Sequence, residues 1–279
     1  MREYLATLND AAFGAASEVR PKFISPSDPA AQWTGAMRGP AFFAYADNYL
    51  VDVKCGVIVD VEATRAIRQA EVGAAQTMID RTEERLRLKP TRLAADRSYG
   101  SAPTLNWIVN EKKIAPHIPV IDMSTRKDGT FSRADFTFDK DRNVYICPMG
   151  KRLKTTGRIL AEHKYRYIAS TCDCGPCPLK SKCCPNTPAR MIPRDINEDA
   201  RDVARALTGT KAFEQSRRDR KRVEMLFAHL KRIFRLSRLR LRGPRGAQDE
   251  FTLAAIAQNL CRLAKLVARA PPLAATCVA

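Results

Sequence analysis

The stretch Phe42–Ala63, FFAYADNYLVDVKCGVIVDVEA, decides the fold expected for this chain. It contains two runs rich in β-branched and aromatic residues, joined near Cys55-Gly56, where a tight turn is favoured. The two runs therefore predict an antiparallel pair of strands. The helix-forming segment Ile67–Arg87 follows and stops before Pro90, because a residue that precedes proline disfavours helical backbone.

The next apolar run, Thr91–Ala95, is short and ends at Asp96. A turn and a helix through Asn110 come next, and a further strand is predicted at His117–Ile121. The order strand, strand, helix, strand, helix, strand predicts an α/β protein with a mixed sheet that contains parallel crossovers. Asp96 is a candidate site residue, because α/β sheets open their clefts at the carboxyl ends of strands.

Five segments are predicted along the 279 residues. They are a lead-in helix and loop (1–40), the first part of the core (41–122), a Cys-rich insertion (123–194), the C-terminal helices of the core (195–269) and a tail (270–279). The lead-in is expected to hold a short helix near residues 3–12.

The composition points to a nucleic-acid partner. The chain has 48 Lys and Arg against 30 Asp and Glu, a formal charge of +18 and a pI near 9.8, and such a basic balance suits a polyanion. No apolar run approaches the roughly 20 residues that span a bilayer, and no signal-peptide pattern opens the chain. We therefore expect a cytoplasmic protein without a membrane partner.

Apolar residues recur at the spacing of one helix face between Arg217 and Arg242, which predicts one amphipathic helix there. A lone carboxylate, Glu224, borders this face on a stripe with Arg220 and Lys231. A salt bridge to Arg220 is the usual explanation of such a glutamate. The alternative makes Glu224 a ligand of a divalent metal beside a cationic track that binds phosphates.

The cationic track is dense. Between Arg217 and Arg245 the sequence holds twelve Lys or Arg residues and two acids. The residues predicted to contact DNA are Arg217, Arg235, Arg238, Arg240 and Arg242.

Nine cysteines are present, five of them between residues 172 and 184. The spacing Cys174-x2-Cys177, with Cys183 after it and Cys147 before it, predicts a closed structural Zn²⁺ site of four thiolates. Cys172 and Cys184 are reserve ligands. The alternative is a reduced, metal-free loop with incidental thiols.

Several segments resemble bacterial insertion-sequence transposases of the DDE type. They are LAADRSYGS (93–101), RKRVEMLFAHLKRIFRLSRLRLRG (220–243), DEFTLAAIAQNL (249–260), SPSDPAAQWTGA (25–36), YADNYLVDV (45–53) and the Cys-rich insertion. Arg220, Glu224 and Lys231 fit the family's Tyr-Arg-Glu-Lys signature, in which Arg217 stands in place of the tyrosine.

The resemblance implies a ribonuclease-H-like fold with helices around a mixed sheet and a zinc-knuckle insertion. It also implies two Mg²⁺ ions held by two aspartates and one glutamate, with Asp96 as the second aspartate and Glu224 as the glutamate. Arg220 and Lys231 would position phosphates. No strand equivalent to the one that carries the first aspartate precedes Phe42, and none of Asp28, Asp47, Asp52 and Asp60 is a convincing replacement, so an N-terminally shortened form is expected.

The sequence therefore predicts a transposase that cleaves DNA strands and transfers an insertion sequence, with an incomplete carboxylate triad. A non-catalytic DNA-binding remnant or regulator is the alternative, and a zinc-stabilised nucleic-acid module unrelated to transposition is a third reading. The expected partners are double-stranded DNA, transposon ends and, as an open option, a second copy of the chain. Such a protein would be nucleoid-associated.

Overall fold

A computed structural model describes residues 23–35, 39–67, 70–122, 126, 128–160, 163–236 and 238–267. The chain forms two compact units, one made of residues 1–94 and 210–279 and the other of Ala95–Gly209. The helix predicted near residues 3–12 and the tail lie outside the described residues. None of the described helices is long and apolar enough to cross a membrane.

The first unit is built on the predicted hairpin. Strands β1 (Gln32–Gly35), β2 (Ala41–Asp52) and β3 (Val57–Arg65) form an antiparallel sheet in that order. The turn between β2 and β3 closes with a 2.7 Å hydrogen bond from the Gly56 N–H to the Asp52 carbonyl, and Gly56 takes a φ of 69°, a conformation that favours glycine. The sequence prediction of a strand pair joined at Cys55-Gly56 is confirmed.

Two helices cover this sheet. Helix α1 (Ala70–Leu86) follows β3, and Arg81 on it forms ion pairs of 2.8 Å with both Asp60 and Glu62. On the other face of β3, Ile58, Val61 and Ala63 pack against α7 (Gly243–Val267) through Ala247, Phe251 and Ala255. The amide oxygen of Asn259 on α7 accepts the N–H of Ile58 at 2.9 Å, so polar contacts also fix this helix along β3.

The second unit contains a five-stranded antiparallel sheet of order β10-β9-β8-β7-β6. Its strands are β6 (Thr137–Asp139), β7 (Val144–Ile146), β8 (Arg152–Thr155), β9 (Lys164–Ile168) and β10 (Met191–Asp195). Phe136, Tyr145, Leu153, Tyr167 and Ile192 form most of its core. The remaining elements are β5 (Ala115–His117) and helices α2 (Ala102–Asn106), α3 (Thr171–Cys174), α4 (Lys180–Cys183) and α5 (Glu198–Leu207).

A network of buried ions holds α5 in the second unit. The Glu198 carboxylate, 1% exposed, lies 2.6 Å from the Arg133 guanidinium, 2.7 Å from that of Arg205 and 2.9 Å from that of Arg201. Burial opposes ionisation of Glu198, but the three guanidiniums more than offset this and lower its pKa. The network therefore depends on a charged Glu198.

The model agrees with the expected α/β class. The three-stranded and the five-stranded sheets are antiparallel, however, and an antiparallel pair does not need the long crossover connection that a parallel pair needs. Strand β4 (Arg92–Ala94) is only three residues long and does not belong to the β1–β3 sheet. The β1–β3 sheet therefore does not include the strand that precedes Asp96, and the mixed sheet and the ribonuclease-H-like arrangement stay predictions.

Candidate metal centre and nucleic-acid interface

Glu224 lies on α6 (Lys211–Arg232), a helix capped by the Thr210 hydroxyl, which accepts the N–H of Phe213 at 3.2 Å. Leu230 is buried and Val223, Leu226 and Phe227 are half-buried, so these residues form the packed face of the helix. Glu224 flanks this face and is exposed.

Glu224 differs from the other acids of α6 in its contacts. Within the part of the chain that the structure describes, it forms neither an ion pair nor a hydrogen bond, although Arg220 lies one helical turn away. Other acids of the same helix are paired: Glu214 binds Arg217 at 2.7 Å, and Asp219 accepts from Gln215 at 2.9 Å. The salt bridge expected as the ordinary explanation of Glu224 is therefore not formed here.

The cations of α6 differ in their exposure and in their ion pairing. Lys231 is exposed and Arg220 is half-buried. Arg217 is exposed, but its ion pair with Glu214 neutralises part of its charge. Arg217 is thus less available for a phosphate than the sequence prediction assumed.

The predicted helix through Arg242 is wrong, since α6 ends at Arg232. Arg235 takes a left-handed φ of 52°, which interrupts a helix of L-residues. Leu236 and Leu239 turn back onto the cluster around Ile58 and Phe251. Leu236 and Leu239 therefore pack as part of a folded loop, whereas Ile233 and Leu241 stay exposed.

That loop nevertheless presents the predicted cations to solvent. Arg235, Arg238, Arg240 and Arg242 are all exposed. The Glu250 carboxylate accepts the backbone N–H groups of Arg240, at 2.7 Å, and of Leu241, and the Asp28 carboxylate accepts that of Gly243 at 2.9 Å. These bonds fix the backbone. The four guanidinium groups have no partner among the described residues, so they can bind anions.

Asp96 precedes a short 3₁₀ turn, Arg97–Tyr99, and caps it. Its Oδ1 accepts the N–H of Ser98 at 2.8 Å and the Ser98 hydroxyl at 2.5 Å. Its second oxygen has no partner within the described ranges, and the residue is exposed. Asp96 therefore has a structural role as a cap and one oxygen available for a ligand.

The turn after Asp96 requires glycine. A Cβ atom on Gly100 would lie 2.1 Å from the carbonyl oxygen of Pro119, and the Gly100 carbonyl accepts the N–H of Ile121 at 2.9 Å. The close approach of two backbone segments explains the glycine. Asp96 belongs to the second unit and Glu224 to the first, so their predicted convergence stays a prediction.

The predicted zinc ligands are only partly arranged as a metal site. The Cys147 sulfur accepts the N–H of Lys151 at 3.3 Å, in a turn where Gly150 has a φ of 75°. Cys183 and the reserve ligand Cys184 are instead buried in the apolar core of the second unit, against which Cys147 and Cys174 pack.

Burial raises the pKa of the Cys183 thiol to about 11 and also raises that of Cys174, which disfavours the thiolate form that binds zinc. Across the described ranges, no group of three or more Cys, His, Asp or Glu side chains is placed to hold a metal ion. The set Cys147, Cys174, Cys177 and Cys183 is therefore not supported as a zinc site.

Sequence reasoning missed the chemistry of Asp47. Both of its carboxylate oxygens are buried, and burial raises its pKa to about 7, although the neighbouring Tyr49 hydroxyl acts in the opposite direction. The other aspartates considered as replacements for the first metal ligand have partners: Asp28 accepts from the Tyr45 hydroxyl at 2.9 Å, Asp52 accepts the Lys54 N–H at 2.9 Å, and Asp60 pairs with Arg81. Period-two alternation was the available signal, because Asp47 shares a strand face with Tyr45 and Tyr49.

Residues 146–264 match a family model described as a transposase DDE domain. The match supports a transposase of the DDE type and covers Glu224, whereas Asp96 lies outside it. No curated protein and no solved structure matches the chain.

Proposed function

We propose that this chain is a DDE-type insertion-sequence transposase component that binds double-stranded DNA through the exposed cations beside Glu224. One observation carries the proposal: Glu224 is an exposed carboxylate with no described partner on a helix crowded with cations. A carboxylate without a partner does not stabilise the fold, and its free oxygens suit a role in binding a ligand. The match to a transposase DDE domain over residues 146–264 supports the same interpretation.

Mg²⁺ fits the two carboxylates by their chemistry, because it prefers oxygen ligands and DDE transposases generally use it. Glu224 would offer Mg²⁺ both of its carboxylate oxygens. Asp96 would offer the one oxygen that does not cap the turn. When bound, the metal would activate a water or a 3′-hydroxyl and stabilise the leaving oxygen of a phosphodiester. Arg220 and Lys231 would orient the phosphates.

The DNA contacts proposed are the exposed guanidiniums of Arg235, Arg238, Arg240 and Arg242. Their backbone is held by the Glu250 and Asp28 carboxylates, so the loop needs little ordering when it binds. Phosphate contacts of this kind position a protein on DNA without reading sequence. Recognition of transposon ends is therefore assigned to other contacts.

A second candidate, a DNA-binding regulator without strand cleavage, is favoured by a specific observation. Among the residues that the structure describes, no group of three or more His, Cys, Asp or Glu side chains is placed to hold a metal ion. We therefore propose that DNA binding is retained and that cleavage by the 279-residue chain alone fails. The proposed location is the cytoplasm, in association with the nucleoid.

The binding part is tested by fluorescence anisotropy of duplex DNA over a range of salt concentrations. Log K is expected to fall by about 0.9 per phosphate neutralised for each decade of salt. Replacing Arg238, Arg240 and Arg242 by Ala should weaken binding and flatten this slope. The matched control replaces three exposed cations of the second unit, Arg152, Lys154 and Arg158, and should retain most of the affinity. Equal losses in the two triple variants would show that only overall charge matters.

The catalytic part is tested by nicking of supercoiled plasmid in Mg²⁺ or Mn²⁺. We expect no nicking by the 279-residue protein, and Glu224→Gln should bind DNA as well as the wild type or slightly better because it removes a negative charge. Nicking that disappears in Asp96→Asn and in Glu224→Gln would show that the site is complete and would reject the regulator.

A further inference from the structure

A cavity in the first unit is lined by α6, α7 and the turn between β2 and β3. Its volume is about 440 Å³, which falls in the range of roughly 300 to 1,000 Å³ that small-molecule sites occupy. None of the residues assigned above to DNA or to a metal lines it. The cavity is therefore a separate candidate site on the same unit.

Most of the lining side chains are apolar. They are Val51, Val53, Val223, Met225, Leu226, Ile233 and Phe234. Met225 and Ile233 are 55% and 64% exposed, so this part of the lining is open to water. A ligand that covers it gains the free energy of removing apolar surface from water, and the Met225 thioether and the Phe234 ring favour contact with an aromatic ring.

The charged lining residues all carry the same sign. Lys54, Arg222, Arg262 and Lys265 line the cavity beside His229, and no Asp or Glu is among the described lining residues. Arg222 pairs with Asp219 at 3.6 Å, and the Arg262 Nε–H donates to the Cys55 carbonyl at 2.6 Å. The two lysines are exposed and form no ion pair with a described residue. The cavity therefore favours an anionic ligand.

Gln258 adds a hydrogen-bond requirement to the cavity that it lines. The residue is 7% exposed, and its amide nitrogen donates to the Leu226 carbonyl at 3.0 Å. Its amide oxygen is buried and has no hydrogen-bond partner within the described ranges. Leaving a buried acceptor unpaired costs free energy, so a ligand that brings an N–H or O–H donor to this oxygen is favoured.

We propose that this cavity binds a small aromatic carboxylate whose ring carries an N–H or O–H donor. The ring covers the apolar lining, the carboxylate lies beside Lys54 and Lys265, and the donor bonds the Gln258 amide oxygen. An indole carboxylate combines these three features, because its ring is flat and apolar and its N–H needs an acceptor when buried. The proposal does not depend on transposase activity, so its test needs no DNA.

The test is isothermal titration calorimetry of the full chain with indolepropionate. Its N-methylated analogue lacks the donor and should bind roughly fivefold more weakly or worse, because the Gln258 oxygen stays unpaired. Its uncharged amide should bind about twofold to fivefold more weakly, since the lysines are exposed. A chain that does not bind indolepropionate at millimolar concentration overturns the proposal, and so does equal binding of the three compounds.

A pair of double variants locates the carboxylate. Lys54→Ala combined with Lys265→Ala should weaken the binding of indolepropionate about twofold to fivefold or more and should leave the binding of its amide unchanged. The matched control combines Lys211→Ala with Lys221→Ala, at two exposed lysines of α6 that do not line the cavity. Equal losses in the two double variants would show that only the overall charge attracts the anion, and would reject the site.

Cys261 gives a readout of where the ligand sits. It lines the cavity and is exposed, and Cys172 is an exposed cysteine of the second unit. Saturating indolepropionate should slow the alkylation of Cys261 by N-ethylmaleimide and should leave that of Cys172 unchanged, as measured by mass spectrometry of the two peptides. Binding that leaves the alkylation of Cys261 unchanged would place the ligand elsewhere and would overturn the proposal.

Discussion

The ring of Phe227 stacks on the ring of Tyr49, with centroids 5.0 Å apart and 15° between the planes. This contact joins α6 to the central strand of the first unit's sheet, three residues along the helix from Glu224. It therefore fixes the rotation of α6 and, with it, the direction in which the Glu224 carboxylate and its neighbouring cations point.

Replacing Phe227 by Ala should lower the free energy of unfolding by about 2 to 4 kcal/mol, because a half-buried aromatic loses both burial and its stacking partner. Met225→Ala, on the same helix but exposed, should cost well under about 1 kcal/mol. Chemical denaturation monitored by circular dichroism measures both. Equal effects would mean that the Tyr49 contact does not hold the helix.

Asp47 should make the first unit less stable as the pH rises. Its folded-state pKa of about 7 lies above the ordinary value of 3.8. The contribution of protonated Asp47 to folding stability is therefore fully present below pH 3.8 and is lost as the pH rises through 7. The difference corresponds to on the order of 4 kcal/mol. Asp47→Asn cannot ionise and should therefore exceed the wild type in stability most clearly at pH 8.

The measurement compares the two proteins from pH 4 to pH 8, so that contributions from other groups cancel. Asp52→Asn serves as the control, because Asp52 is an exposed turn residue that accepts the Lys54 N–H. A stability difference between Asp47→Asn and the wild type that does not change with pH would contradict the assignment.

Glu198→Gln should destabilise the second unit strongly. Removing the charge takes away the buried carboxylate that Arg133, Arg201 and Arg205 share. Breaking a buried pair typically costs about 3 to 5 kcal/mol, and the lower end of this range is expected because Asp122 still pairs with Arg133 and Arg205. Glu214→Gln breaks an exposed pair with Arg217 and should cost less than about 1 kcal/mol. Thermal unfolding of the two variants distinguishes a buried network from a surface one, and similar shifts would contradict the burial of Glu198.

The elements that sequence predicted well are those set by local pattern. The strand pair β2 and β3 and the helix that follows it were predicted within a few residues of their observed bounds, because β-branched residues, turn signals and helix formers act over a few neighbours. The helix through Arg242 failed since Leu236 and Leu239 satisfy the same apolar spacing by turning back to a distant core. A periodic pattern does not reveal which surface will bury it.

The candidate site shows the same limit. The spacing of Glu224 and the neighbouring cations in the sequence was enough to select them as candidate site residues. The burial of Asp47 and of Cys183, in contrast, depends on elements that are distant in sequence. Cysteine spacing suggested zinc, but whether thiols line a metal site or fill a core is decided by tertiary packing. The sequence alone indicates that Tyr45, Asp47 and Tyr49 share one strand face. It does not indicate that α6 packs on this face through Phe227 and helps to bury it.

Gly100→Ala should disturb the turn that carries Asp96. The added Cβ would meet the Pro119 carbonyl oxygen at 2.1 Å and the Ile121 nitrogen at 2.9 Å. Both atoms are backbone, so relief requires the two segments to separate and the hydrogen bond from the Ile121 N–H to the Gly100 carbonyl to break. We expect a loss of about 1 to 3 kcal/mol or more. Gly35→Ala, where nothing lies within 4 Å of the added atom, should change stability little, and thermal unfolding of the two variants measures the contrast. If both alanines are tolerated equally, the close approach of residues 100 and 119 is not a feature of the folded protein, and Asp96 is not held by this turn.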